Sequence, residues 1–286
     1  MMKWKSMLFI LIVFLLTEVI FPKSKSDTTG INIWSPNVVI GLNISEIALS
    51  NWTQGGDNSI TWTLTENSEL DYFTKSWSFR NNMKAAYGRT KLDGQDFITG
   101  DNTFYLESVL ARKVGWAVNP FVSNSVRTTL TRGYDYSLTP PQIVADFFDP
   151  GYVTQSCGFT YDKYAWFKSR LGLAAQETFT NKYRQYSDDP DTPDKEEAFK
   201  LETGFESVTN LKVNFLKNML YTGSLRLFTR FETLDVWDVG WDNTLVAKVN
   251  DYFNVNFTFY LVYQKDQSPK TQMKQTLQLG VVYSLI

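Results

Sequence analysis

Read backwards from its end, the chain alternates. In TLQLGVVYSLI, Leu277, Leu279, Val281, Tyr283 and Leu285 take every second place, with Thr276, Gln278, Gly280, Val282 and Ser284 between them. A period of two sends the two sets to opposite faces of a β-strand. The segment before it does the same, with Phe253, Val255, Phe257, Phe259, Leu261 and Tyr263 on one side and Asn254, Asn256, Thr258, Tyr260, Val262 and Gln264 on the other. One face suits lipid and the other suits water.

The pattern recurs around residues 241–249, 220–231, 199–212, 166–179, 152–161, 116–131, 103–113, 76–89, 59–69 and 38–50. At ~10 residues per membrane-crossing segment this predicts about twelve strands. Tight turns at DYFTK, KVGW, YDKYA, NFLKN and VNDYF interleave with longer polar stretches such as GYDYSLTPPQIVADFFDPGY and YRQYSDDPDTPDKEEA. The fold class predicted is all-β, a transmembrane antiparallel up-and-down β-barrel occupying residues 27–286 as one domain, monomeric or weakly oligomeric. An even strand number leaves both ends of the barrel on the short-turn side. A soluble barrel or sandwich also alternates, but it would bury the apolar face, and the polar face here carries many small and charged residues.

The first residues add a destination. Lys3 and Lys5 precede the apolar run MLFILIVFLL, which gives way to PKSKSD with Ser24 and Ser26. This predicts a cleaved secretory signal peptide over residues 1–26. Thr17 and Glu18 interrupt the run before it reaches the ~20 apolar residues of a membrane-spanning helix. Aromatic residues make up 16% of the chain, an abundance that the girdles of outer-membrane barrels require. The predicted location is the bacterial outer membrane, with its lipid and its assembly machinery as partners. A formal charge of −2 gives no reason to expect nucleic acid.

Chemistry is restricted by what is missing. The chain has no histidine, which removes histidine-based triads, water activation and metal ligation. Glu202 and Glu206 share a strand face but stand ~13 Å apart, beyond the usual glycosidase pair. SDDPDTPDKEE lacks the ligand spacing of a calcium loop and reads as a solvated acidic loop. Cys157 falls on the lipid-facing side with Val153, Phe159 and Tyr161, where a lone thiol is inert. No enzyme, cofactor or metal is expected.

The inward face is the candidate site. Alternation assigns to it Arg80, Lys84, Arg127, Lys168, Arg170, Lys200, Lys212, Arg226, Arg230 and Lys248, against Glu107, Glu202, Glu206 and Asp242. An excess of cations there predicts a passive channel for small polar or anionic solutes, with Arg170 and Arg226 as positions that set anion preference. Tyr105, Phe121, Phe228 and Tyr260 also fall inward, too scattered for an apolar pocket. The alternative is a non-conducting structural or adhesive barrel whose outer loops bind a surface partner, its charges paired across a filled lumen.

The remaining motif is NWTQGGDNS, where Gly55 and Gly56 supply the positive φ of a tight reversal and Asp57 and Asn58 are turn formers. Between strands, with Trp52 near an interface, it reads as the outer bend of the first hairpin, with a sugar or headgroup site as the alternative. IWSPNVVIGLNISEIALSNWTQGGDNSITWT, with Trp34, Gly41, Leu42, Asn43, Ser45, Asn51, Trp52, Gly55, Gly56, Asn58 and Ser59, together with the closing QTLQLGVVYSLI, resembles an uncharacterised outer-membrane barrel family, domain of unknown function three-zero-seven-eight. The resemblance covers essentially the whole chain after the signal peptide and implies location and fold, with no activity attached. Gln278, Gly280, Tyr283 and Leu285 also resemble the terminal signal read by outer-membrane assembly machinery, although the chain ends on Ile286 and not on an aromatic residue.

Overall fold

Strands with one apolar and one polar face must hide one of them, and here the apolar face is outside. The computed structural model describes residues 32–49, 57–189, 192, 195–265 and 270–284. The predicted signal peptide, Asn51, Trp52, Gly55, Gly56 and Leu285 lie outside the described residues. In chain order the strands are β1 (Trp34–Ile47), β2 (Ser59–Phe73), β3 (Trp77–Leu92), β4 (Ile98–Arg112), β5 (Asn119–Thr128), β6 (Gly133–Asp135), β7 (Gln142–Ala145), β8 (Gly151–Tyr164), β9 (Phe167–Phe179), β10 (Phe199–Leu216), β11 (Met219–Arg230), β12 (Thr233–Lys248), β13 (Phe253–Tyr263) and β14 (Gln272–Ser284). Among the described residues, twelve of them close into one antiparallel barrel, each paired with its predecessor, and β14 closes on β1. Closure leaves no strand edge, so backbone polar groups are satisfied within hydrocarbon. The short β6 and β7 form a separate hairpin in the connection between β5 and β8.

Exposure follows the alternation. Leu171 and Leu173 of β9 face outward, while Arg170, Gly172, Ala174, Gln176 and Thr178 between them are buried. Hydrophobic exterior and polar interior exclude the soluble alternative and make this a membrane barrel of the outer-membrane kind. Aromatic rings mark both boundaries. At the short-turn end Trp34 lies 4.8 Å from Tyr72 and Tyr164 stacks on Trp166 at 5.8 Å; at the long-loop end Trp62 meets Tyr87 at 5.9 Å and Phe179 meets Phe199 at 5.2 Å. The five tight turns lie where the sequence places them, and β1 begins and β14 ends on that same side. At the opposite end one connection is also tight, only Phe231 and Glu232 separating β11 from β12.

The seam between β14 and β1 depends on one glycine. A Cβ on Gly280 would come within 2.3 Å of Asn254 Oδ1 and 2.5 Å of Asn43 Oδ1. The space it leaves is filled by amides, with Asn256 Nδ2 donating to Asn43 Oδ1 at 2.8 Å and to Asn254 Oδ1 at 3.1 Å. Gln278 reaches across β1 to Thr63 Oγ1 at 3.4 Å. Of the terminal signal residues, Gln278 and Gly280 thus face the lumen, whereas Tyr283 is exposed on the outer wall.

An outward carboxylate interrupts the apolar wall. Glu66 pairs with Ile40 and Ala85 in the middle of its strand, accepts the Ser68 hydroxyl, and keeps a buried carboxylate oxygen without a hydrogen-bond partner. Carboxylates on the lipid face are destabilising, by less than the ~2–4 kcal/mol of a cation at the midplane. Glu66→Leu is expected to stabilise the refolded barrel by about 1–2 kcal/mol, read as a higher guanidinium midpoint in lipid vesicles. A lower midpoint would show that Glu66 has a partner in the membrane.

Candidate functional site in the barrel lumen

Side chains that meet across the barrel between non-adjacent strands can only point inward. Lys84 Nζ of β3 reaches Asp242 Oδ2 of β12 at 3.5 Å, and Lys212 Nζ of β10 reaches Glu69 Oε1 of β2 at 3.9 Å. Arg170 of β9 pairs with Glu107 of β4, and Lys274 of β14 pairs with Asp101 of β4. Arg80 Nη2 of β3 lies 2.8 Å from Asp162 Oδ2 of β8. These chords anchor the inward assignment, and strand register extends it to Arg127, Lys168, Lys200, Arg226, Arg230, Glu202, Glu206 and Lys248.

The interior is layered. Near the short turns Arg80, Lys168 and Lys212 stand among Glu69, Asp71 and Asp162. In the middle, Arg170 holds Glu107, which also accepts the Tyr105 hydroxyl at 2.8 Å, and Arg226 Nε donates to Glu206 at 2.7 Å while its Nη2 donates to Gln176 at 3.0 Å. Towards the long loops Arg230 bridges two carboxylates, Glu202 at 2.5 Å and Asp238 at 3.0 Å, and Lys200 adds a contact to Glu202 at 3.0 Å. Phe228 is fully buried between guanidinium groups, 5.5 Å from Arg226 and 5.7 Å from Arg230. Arg127 stacks on Tyr152 at 4.6 Å, and Lys248 pairs with Asp251 in the adjoining turn at 2.8 Å.

This corrects the charge balance expected from sequence. Glu69, Asp71, Asp101, Asp162 and Asp238 also face inward, so the predicted surplus of ten cations over four carboxylates is largely cancelled. Four of the five lie just past the ends of the segments recognisable by alternation, because barrel strands continue beyond the hydrocarbon, where no apolar partner position is imposed. Arg170 and Arg226 are occupied by buried carboxylates and serve as packing elements of the lumen. Glu202 and Glu206 are likewise neutralised by arginines, which leaves neither poised as a general base.

Exposure divides the interior into two sides. From β8 to β12, above the wetted short-turn end where Lys212 is 57% accessible, the network is tight, with Arg170 and its β4 partner Glu107 only 9% and 12% accessible and Asp238 only 2%. In mid-barrel, facing β1 to β3, water reaches further: Lys84 and Asp242 are each 43% accessible, and Asn67 and Tyr260 beside them in register are exposed as well. Lys84 and Asp242 therefore bridge a wetted section of the lumen between almost opposite strands.

The long-loop end is ordered by buried polar ties. The Asp149 carboxylate accepts the backbone N–H groups of Asn181 and Lys182, each at 2.8 Å, and so joins two outer connections. Glu197 receives the Asp189 N–H at 3.2 Å and the Thr192 hydroxyl at 3.0 Å, which holds its carboxyl below the usual range. The acidic loop thus spends carboxylates on its own backbone. Of the opening motif, Asp57 is exposed, and Asn58 accepts the Leu49 N–H at 2.6 Å and donates to Asp93 at 3.1 Å, the work of a hairpin bend.

No curated protein sequence matches the chain. Among solved structures it is similar to the translocator domain of autotransporter NalP from Neisseria meningitidis, at 9% identity, TM-score 0.36 and 90% coverage of each chain. It is similar to an outer membrane channel from Pseudomonas putida F1 at 9% identity and TM-score 0.39, covering 93% of this chain and 98% of that one. Similarity to the CymD monoaromatic hydrocarbon channel is at 8% identity and TM-score 0.34, over 89% and 88% of the two chains. Residues 44–134, from within β1 to β6, match the model of a family described as Protein of unknown function (DUF3078), the family that the N-terminal motif resembles.

Proposed function

We propose that the barrel is a passive port of the outer membrane for small polar solutes, with the Lys84–Asp242 pair as the narrow point of its aqueous path. The observation that carries this reading is the accessibility of both partners, 43% each, at mid-height, where the Arg170–Glu107 and Arg226–Glu206 pairs are largely buried; the more accessible Lys212–Glu69 pair stands at the short-turn end. Buried pairs keep the barrel filled on one side, and an accessible pair of opposite charges lets water and small dipolar solutes pass on the other. With inward carboxylates nearly matching the cations, charge preference is weak, and the anion preference expected from sequence gives way to one set locally at this pair. Under the same proposal, residues 1–26 direct export and are removed, and the closing strand is read by the assembly machinery.

A second reading, an adhesive barrel, draws support from Asp149, which ties two of the outer connections together. The two separate in a planar bilayer. Refolded barrel, its folding checked by heat-modifiable gel migration, is expected to give discrete ohmic steps with a reversal potential near zero under a salt gradient. A folded barrel that never conducts would sink the port and leave the outer loops as the functional surface.

A further inference from the structure

On the outside of the wall, at the long-loop end, the connection between β5 and β8 folds back over the barrel and leaves an open cleft. Asn102 of β4 pins it there: its Oδ1 accepts the backbone N–H groups of Leu130 at 3.0 Å and Thr131 at 2.9 Å, and its Nδ2 donates to Thr131 O at 2.7 Å. Tyr136 adds a second tie, its hydroxyl accepting the Thr99 N–H at 2.8 Å. Between this flap and β3 lies a cavity of about 410 Å³ lined by Tyr87, Arg89, Thr131, Arg132, Tyr134 and Asp146, among others. Pockets of this size suit a small ligand or a headgroup.

Position and charge specify the occupant. Tyr87 and Trp62 form the aromatic belt at this boundary, and Arg89 and Lys91 stand one and two outward-facing positions above Tyr87 on the same strand. Within the pocket the Asp146 carboxylate is taken by Arg132 at 3.4 Å. Arg89 has no carboxylate partner among the described residues: it donates through Nη2 to Phe97 O, lies 5.6 Å from the Phe97 ring, and keeps a buried Nε without a hydrogen bond. A guanidinium left uncompensated at the outer edge of an aromatic belt, level with Trp62, faces lipid headgroups, and its planar donors fit phosphate oxygens bidentately. We propose that this pocket binds the phosphate-bearing headgroup of a lipid in the leaflet at the long-loop end, with Arg89 as the principal anion contact and Arg132 as the second. The aromatic rings of Tyr87 and Tyr134 then cover the headgroup's apolar side.

The test uses the folded barrel in detergent micelles, titrated with bis-phosphorylated lipid A and read by native mass spectrometry. One tightly held lipid is expected on the wild type, and the variant Arg89→Gln with Arg132→Gln is expected to bind about tenfold more weakly, while heat-modifiable migration shows it still folded. Arg112→Gln, which removes an outward cation at the opposite end, stacked 5.7 Å from Trp77, is expected to bind like the wild type. The site is refuted by a folded double variant that binds unchanged, or by dephosphorylated lipid A binding equally well. Full displacement by millimolar inorganic phosphate would overturn the lipid assignment in favour of a free-phosphate site.

Discussion

Replacing Lys84 and Asp242 together by alanine is expected to raise single-channel conductance roughly two- to threefold, because conductance follows the cross-section of the narrowest section and this pair bridges it. The single substitutions are expected to act in opposite senses. Asp242→Asn leaves Lys84 uncompensated and moves the reversal potential towards anions; Lys84→Gln leaves Asp242 and moves it towards cations. Both side chains are well hydrated, so stability should change little, as for other accessible ion pairs. Reversal potentials under a salt gradient check this directly. Shifts of the same sign, or none, would place the narrow point elsewhere in the lumen.

The opposite behaviour is expected of the buried network. Arg230→Met removes the group that joins Glu202 and Asp238, whose side chains are 7% and 2% accessible. Stranding buried carboxylates in this way is expected to lower stability by about 3–5 kcal/mol, against near zero for Lys212→Met at the wetted short-turn end. Neutralising both acids with Glu202→Gln and Asp238→Asn in the Arg230→Met background should recover much of it, since the penalty lies in unpaired charge more than in lost attraction. Guanidinium unfolding of refolded barrel in vesicles measures all three. If Arg230→Met unfolds like the wild type, the network contributes nothing to holding that side of the lumen closed.

Taken together these expectations assign the interior two duties. Arg170, Arg226 and Arg230 act as struts on the β8 to β12 side, where a barrel wall without an apolar core needs cohesion from paired charge. Lys84 and Asp242 face the water that remains. Substitution of Arg170 or Arg226 by an acid, the natural choice from the sequence, would therefore report on folding before it reported on selectivity.

Sequence alone determined the fold class, the strand number, the positions of the short turns and the alternation of faces along the strands. It could do so because alternation is a local property: residues two apart share a face, and hydrocarbon outside the barrel enforces an apolar choice at every second position. The same reasoning fails just past the membrane boundary, where Asp71, Asp101, Asp162 and Asp238 sit on strand extensions that no lipid constrains, and the charge count failed with it. Only the tertiary structure decided which charges meet, because Lys84 and Asp242, or Arg170 and Glu107, lie far apart in the chain and on strands that do not pair. Their encounter depends on how far each strand is shifted against the next before the barrel closes, a cumulative quantity carried by no single segment. The flap held at Asn102 and the loops joined by Asp149 were illegible for a related reason, since one polar side chain capping a distant backbone leaves no periodic trace.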